Sequence, residues 1–378
     1  MKDPVLVHVF AKTDVGKTRD HNEDAFVVAD LTSMNASMDA SLQKHVVGDR
    51  GSLFMVADGM GGAAAGEIAS AMATETVLRE LDVHWRHAEQ QDAETFARAI
   101  KAAAEAANAR IHKFAVDHPE YRGMGTTGTI AGLLDDTLYL AQVGDSRAYL
   151  VRGGIAQQLT KDQSLMQKLV EAGELTQEEA DMSERRNIIL QALGPEVMVK
   201  VDLTHQKVRR GDVLVLCSDG LSGQIKTEDF ANIVRETPVL EEVCSALIDL
   251  ANAAGGPDNI TVIAARFEGP GLSMASAADD VGHRVYTSEA DMRATVKIEA
   301  ASLPLDVVEV ITDPMLPARR LPAQAAFGPG EPVTRVTPAG VPEPEQRIPV
   351  QTLRWIFGVI GLVVATVVVY ELFWGKKP

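Results

Sequence analysis

The chain has 378 residues, 46% of them hydrophobic and 24% charged, with a net charge of −17. That length supports one large domain or two ordinary ones with a sizeable core. The acidity argues against a protein that holds nucleic-acid backbones, which needs a basic face. The two cysteines, Cys217 and Cys244, have no metal-ligand spacing and cannot make a disulfide framework; both fall in apolar patterns and read as packing residues. The opening stretch MKDPVLVHVF lacks the apolar segment of a secretory signal, so the chain is expected to start in a reducing cytoplasm.

Val5 to Thr13 alternates apolar and polar residues and predicts a half-buried strand. After a turn at Asp14 to Lys17, the stretch TRDHNEDAFVVAD (Thr18 to Asp30) crowds Arg19, Asp20, Glu23 and Asp24 at the entry to a second strand. Taken alone, that cluster reads as a solvated turn. Leu31 to Arg50, rich in Ser and Met and without periodicity, predicts a loop. The run Leu53 to Ala57 predicts a buried strand that delivers Asp58 to its end. Gly59, Gly61 and Gly62 then let backbone approach whatever that carboxylate holds. An isolated Asp-Gly is ordinarily a turn, but here the pattern recurs.

Ala63 to Leu81 and Asp92 to Val116 predict alanine-rich helices with one apolar stripe each, covering layers without chemistry of their own. Thr129 to Leu134 and Thr137 to Val143 predict a hairpin around Asp135-Asp136, and the second strand runs out into Asp145 within GDSRAYLV (Gly144 to Val151). A further strand covers Ile155 to Leu159. The charged excursion Thr160 to Pro195 is expected to lie on the domain, with short helices at Ser164–Ala172, Thr176–Ala180 and Asn187–Leu193. A strand over Val197 to Leu203 follows. The apolar run Val213 to Cys217 then stops at Asp219-Gly220, repeating the pattern at Asp58. Helices at Thr227–Glu236 and Leu240–Ala253 precede GGPDNITVIAARF (Gly255 to Phe267), which sets Asp258 and Asn259 at the start of the last strand.

Asp58, Asp145 and Asp219 thus end strands, while Glu23 and Asp258 begin them. In antiparallel sheets these positions share an edge. Five carboxylates on one edge repel unless neutralised. Hard oxygen ligands of this kind suit Mg²⁺ or Mn²⁺. Two such ions about 3.5–4 Å apart can share a bridging water and clamp a phosphoryl group for in-line attack.

Six motifs appear in order: R-x-x-N-E-D (Arg19 to Asp24), V-A-D-G-M-G-G (Val56 to Gly62), G-T-T (Gly125 to Thr127), G-D-S-R (Gly144 to Arg147), S-D-G (Ser218 to Gly220) and D-N-I-T (Asp258 to Thr261). Over about Val5 to Phe267 this set resembles the metal-dependent Ser/Thr protein phosphatases of type 2C, in particular their bacterial branch. The resemblance implies an α+β fold, a four-layer α-β-β-α sandwich of two antiparallel sheets flanked by helix pairs, with the metals in a cleft at one edge. It implies that Asp58 bridges two Mn²⁺ or Mg²⁺ ions, with the Gly59 carbonyl on the first. Glu23, Asp219 and Asp258 would complete the shell and Asp24 would hold a water. Asp145 with Asp219 would form a weaker third site. Arg19 matches the residue that grips substrate phosphate, a bidentate task suited to arginine. The excursion at about 160–195 corresponds to a flap beside the cleft. One departure stands out: SERRN (Ser183 to Asn187) replaces the His-Pro that many bacterial relatives carry before the Arg-Asn. Met60 stands where eukaryotic relatives place a histidine proposed as general acid, and bacterial members share the Met, so the resemblance implies another proton source.

The resemblance assigns residues 1–268 to the catalytic domain. Residues 269–352 hold most of the prolines with few aromatics and predict a disordered linker. Trp355 to Trp374 contains one ionisable residue, Glu371, and aromatics at both ends. It predicts a single transmembrane helix over 353–374, long enough for a bilayer of roughly 30 Å, with 375–378 as a short tail. The reading is therefore a phosphoserine/phosphothreonine protein phosphatase on the inner membrane, catalytic domain in the cytoplasm. Its partners would be phosphoprotein substrates and a Ser/Thr kinase, without nucleic acid. A binding module of the same fold without turnover is the alternative. It would be favoured by loss of Asp58, Asp219 or Asp258, and all three are present. A small-molecule or anti-sigma-type phosphatase would share the same metal site.

Overall fold

Leu53, Met55 and Ala57 face one way along their strand and Phe54 and Val56 the other, and in the computed structural model both sets are fully buried. The strand lies in a sheet covered on both sides, which is why its sequence is solidly apolar rather than alternating. The structure describes residues 3–62, 65–183, 185–276 and 278–287.

In chain order the elements are β1 (Leu6–Asp14), β2 (Asp24–Asp30), α1 (Ala40–Gln43), β3 (Lys44–Val46), β4 (Ser52–Met60), α2 (Ala65–Glu80) and α3 (Ala93–Asp117). Then come β5 (Gly125–Thr126), β6 (Gly128–Leu134), β7 (Thr137–Val143), β8 (Arg147–Arg152) and β9 (Ile155–Gln158). The flap carries α4 (Leu165–Glu171) and α5 (Gln177–Asp181). The chain continues through β10 (Asp202–Lys207), β11 (Val213–Cys217), α6 (Asp219–Ser222), α7 (Thr227–Glu236), α8 (Leu240–Ala253) and β12 (Ile260–Glu268).

One sheet runs β3-β1-β12-β11-β8-β9, the other β10-β7-β6-β4-β2 with β5 beside β4. The strand pairs are antiparallel, as expected. Three apolar layers hold the sandwich. Phe54, Val56 and Leu140 meet Leu216, Ile263 and Phe267 between the sheets. Met55 and Ile130 meet Ala73, Phe96 and Ile100 under α2 and α3. Val215 and Val262 meet Phe230 and Leu247 under α7 and α8. The four-layer α-β-β-α order follows. Gly132 shows how close α3 sits: a Cβ there would lie 2.4 Å from Ile100 Cδ1.

Four expectations change. The loop over Leu31 to Arg50 contains α1, capped by the Asp39 side chain, and β3, which pairs with β1 at the sheet edge. Elements of three or four residues are too short to show a period. Asn187 to Leu193 is not helical; Leu193 instead exchanges two backbone hydrogen bonds with Thr126, at 2.8 and 3.0 Å. The strand expected from Val197 begins at Asp202, because pairing with β7 starts there, opposite Gln142. Finally, the stretch expected to open the linker packs on the domain. Leu272 is buried in the inter-sheet core, Asp279 pairs with Arg209 at 2.6 Å, and Tyr286 stands edge-on to Tyr139 at 5.5 Å. Low aromatic content hid these anchors, since each is a single residue in an irregular strap.

Among the described residues no helix is long and apolar enough to cross a membrane. The expected span 353–374, the tail after it and the linker from residue 288 lie outside them.

Candidate metal centre and phosphate cleft

Antiparallel pairing of β2 with β4 sets Asp24 directly opposite Asp58. The next residue, Gly59, donates its N–H to the Glu23 carbonyl at 3.1 Å. A Cβ at Gly59 would lie 2.2 Å from the Gly66 carbonyl oxygen and 2.5 Å from that of Glu23. Only glycine fits where the start of α2 crosses this edge. Ser70 on α2 donates to the Glu23 carbonyl at 2.6 Å and fixes the same corner.

The other sheet supplies the remaining carboxylates. Asp219 opens α6 at the end of β11, and Asp258 precedes β12, its neighbour in the sheet. Asp145 sits in the connection from β7 to β8, behind Gly144 at φ +98°. Asp58 feels the charges of Asp24, Asp219, Asp145 and Asp258 together. Arg19 lies nearby, donating from Nη2 to Asp258 Oδ2 at 2.8 Å with its side chain half exposed. The backbone positions of Glu23, Asp24, Asp58, Asp145, Asp219 and Asp258 thus fall along one edge, while the Glu23 carboxylate lies against His21 Nε2 at 3.2 Å.

Crowding sets their acidity. Burial first, then repulsion from Asp24, Asp219 and Asp145, holds the Asp58 carboxyl well above the usual carboxylate range. Asp145 is raised well above it as well, by burial and then by Asp219 and Asp162. Burial pushes Asp24 up to about 7 against the hydrogen bonds that favour its charge. Asp219 is raised by burial first and then by Asp258, opposed in part by the charges of Arg147 and Arg186.

The residues fit hard divalent cations. The donors are all oxygens. Asp24 is half-buried as a residue, yet its Oδ1 is sealed from solvent without a hydrogen-bond partner, while Ser218 Oγ donates to Oδ2 at 2.7 Å. A buried acceptor of that kind calls for a positive partner. Among the described residues no three acidic, His or Cys side chains already form a finished ion cage. The Arg19–Asp258 pair occupies a carboxylate oxygen that an ion would take.

Beside this edge lies a cleft of about 710 Å³. Arg19, Asp145, Arg147, Asp219 and Asp258 line its sandwich side; Glu178, Asp181, Arg186 and Asn187 line its flap side. The Arg-Asn of the SERRN stretch thus reaches the cleft despite the missing His-Pro. Arg147 is clamped by both oxygens of Asp162, at 2.6 to 3.1 Å.

Several residues at the edge carry no role in the sequence reading. Asn259 Oδ1 accepts from Glu23 N at 2.8 Å, while its Nδ2 donates to the Val15 and His21 carbonyls, both at 2.9 Å. It ties the loop of Arg19 and Glu23 to the start of β12. Ser218 donates to the Asp24 carboxylate, Thr126 and Thr127 hold the Asp58 backbone, and Ser146 pairs with Thr127. Their signal was present in part: Asn259, Ser218 and Ser146 each stand in a motif beside an acidic residue, and Thr126 and Thr127 stand in the G-T-T motif.

A two-sheet sandwich with a carboxylate-lined edge and an arginine at its mouth defines a metal-dependent phosphoryl hydrolase. The family profile described as Protein phosphatase 2C matches residues 35–252. The chain is 34% identical over 261 residues to the serine/threonine phosphatase stp of Listeria innocua, covering 68% of this chain and 94% of that protein. The crystal structure of the serine/threonine phosphatase PstP/Ppp of Mycobacterium tuberculosis aligns with a TM-score of 0.58 and 36% identity, over 70% of this chain and 99% of that one. The catalytic domain of PstP in complex with two manganese ions aligns with a TM-score of 0.56 and 35% identity, over 70% and 99%. The chain belongs to the protein phosphatase 2C family. It is a protein Ser/Thr phosphatase that depends on Mn²⁺ or Mg²⁺.

Proposed function

We propose that the chain dephosphorylates phosphoserine and phosphothreonine at a binuclear centre held by Glu23, Asp58, the Gly59 carbonyl, Asp219 and Asp258. Asp24 stands one step out, and Asp145 with Asp219 offers a weaker third position. The observation that carries this reading is the stacking of like charges around Asp58, which faces Asp24 in register and feels Asp219, Asp145 and Asp258 as well. When bound, Mn²⁺ or Mg²⁺ neutralises these carboxylates, polarises the phosphoryl group and makes water nucleophilic near neutral pH.

The chain's own part is placement. Asp58 and Asp219 come from different sheets and define the floor of the edge. Arg19, on the loop tied down by Asn259, swings from Asp258 to the phosphoryl oxygens, for which its planar fork is equally matched. The flap narrows the cleft over the phosphoresidue. Calorimetric titration of the full chain with Mn²⁺ tests the ligand set. Two ions should bind the native protein, and Asp58→Asn should lose both high-affinity events.

The setting belongs to the same proposal. The apolar run Trp355 to Trp374 anchors the chain in the inner membrane, with the catalytic domain on the cytoplasmic side. A proline-rich linker lets the domain reach membrane-bound Ser/Thr kinases and the phosphoproteins they make, at raised effective concentration. Fractionation with protease protection of spheroplasts tests this. The domain should pellet with membranes, resist external protease and become soluble when the chain is cut after Gln351.

A further inference from the structure

Residue 58 is fastened from both sides of its peptide. Its N–H donates to Thr127 Oγ1 at 2.9 Å. Its carbonyl accepts from Thr126 Oγ1 at 2.8 Å and from Thr127 N at 2.9 Å. Thr127 Oγ1 then meets Ser146 Oγ at 2.8 Å, and Ser146 is the residue after Asp145. The Ser146 carbonyl is gripped in turn by Thr129 Oγ1 at 2.9 Å and Gln142 Nε2 at 2.8 Å. All five of these side chains are essentially out of reach of solvent, and Thr127 is 1% exposed. The turn before Asp145 packs on the same residue, since a Cβ at Gly144 would fall 2.7 Å from Thr127 Cγ2.

We infer that the Thr127–Ser146 hydroxyl pair is a positioning device for the metal centre, setting the spacing between Asp58 on β4 and Asp145 in the β7–β8 turn. β4 and the Asp145 turn are separated by β6, and no backbone ladder joins them directly. Beyond the β4–β6 and β6–β7 ladders, one buried side-chain link joins the two carboxylates' own residues: Asp58 N–H, Thr127 hydroxyl, Ser146 hydroxyl, Asp145 backbone. A buried hydroxyl in a closed network of this kind is costly to leave unpaired, so the network has one arrangement. Divalent cations such as Mg²⁺ tolerate little error in ligand spacing, which makes that arrangement functional. Neither hydroxyl touches substrate, so the pair acts through the carboxylates it places.

The inference rests on the ligand set proposed above, and the test separates the two. Thr127→Val keeps the shape and removes the hydroxyl; Thr127→Ser keeps the hydroxyl and removes the methyl. Calorimetric Mn²⁺ titration and phosphothreonine-peptide kinetics are run on the full chain. Thr127→Val should weaken Mn²⁺ binding about 10–100-fold and lower kcat at saturating Mn²⁺, with KM for the peptide within about twofold. Thr127→Ser should recover most of both. Native Mn²⁺ affinity in Thr127→Val, or equal loss in Thr127→Ser, overturns the inference. If Thr127→Val does not fold, Ser146→Ala decides, because it leaves the bond to Asp58 and cuts only the link to Asp145. A native isotherm there overturns it equally. Asp58→Asn is the control. Retained Mn²⁺ binding in that variant sinks the ligand set itself, whereas loss there beside a native Thr127→Val isotherm sinks the positioning role alone.

Discussion

Asp24 and Asp58 are cross-strand partners on β2 and β4, two carboxylates facing each other in an antiparallel ladder. Like charges directly opposite destabilise a sheet. Here one oxygen of Asp24 is also sealed without a partner, and Asp219, Asp145 and Asp258 crowd the same Asp58. A sheet edge built this way is at odds with itself until a cation arrives, and the predictions below read out that conflict.

Removing the charge of Asp58 should abolish activity. Residues one step behind a metal ligand cost 10–100-fold when lost, so Asp58→Asn should lower kcat/KM for a phosphothreonine peptide by more than about a hundredfold. Asp219→Asn should come close. EDTA should silence the native enzyme and Mn²⁺ restore it. Metal-independent turnover, or an active Asp58→Asn enzyme, would refute the assignment.

The metal-free protein should lose stability as pH rises from 6.5 to 8. Burial raises Asp24 to about 7, and Asp58, Asp145 and Asp219 are raised as well. Below the ordinary carboxylate value near 4 these groups are protonated folded or unfolded, and their contribution is fully present. Above it the unfolded chain has released protons that the folded chain retains, so the contribution is lost as pH climbs through the folded value. His8, His205 and His283, whose values burial lowers, act in the opposite sense below about 6.5. The window above 6.5 therefore isolates the carboxylates. Thermal melts in EDTA should show Tm falling across it. Mn²⁺ should raise Tm most at the alkaline end, because ion binding displaces the protons. A flat or rising Tm in EDTA would contradict the crowding described.

Arg19 should matter for substrate rather than for folding. Its guanidinium is half exposed and its ion pair with Asp258 lies at the surface, a contact of at most about 1 kcal/mol. Arg19→Ala should therefore leave Tm nearly unchanged while raising KM for phosphopeptide more than it lowers kcat. Arg19→Lys should rescue only in part, a point charge replacing a fork. An unaltered KM in Arg19→Ala would make Arg19 a turn residue.

The strap after β12 should be part of the folding unit. Leu272 is fully buried in the inter-sheet core, and the Arg152 guanidinium reaches both Asp212 and the Asp279 carbonyl. Leu272→Ala should cost about 2–4 kcal/mol in denaturant unfolding. A chain ending at Glu268 should be less stable than one ending at Thr287. Equal stability of the two would return the strap to the linker.

Much of this was legible in the residues. The runs Leu53–Ala57 and Val213–Cys217 name buried strands by composition, and the helices Thr227–Glu236 and Leu240–Ala253 appear where their periodicity puts them. The acidic residues at strand ends follow from the same patterns, because a strand's end is local information. What the sequence could not show is which ends lie opposite which. That Asp24 faces Asp58, that Asp219 crowds the same Asp58, and that Thr127 meets Ser146 depend on ladder register and on how two sheets stack. Those are long-range relationships with no local signature. The strap was missed for the same reason. Leu272, Asp279 and Tyr286 have no period, and they are anchors only because Arg209, Tyr139 and the inter-sheet core stand ready to receive them. The sequence chose the chemical groups and the strands that carry them. Tertiary structure alone brought their charges into one conflict that an ion can resolve.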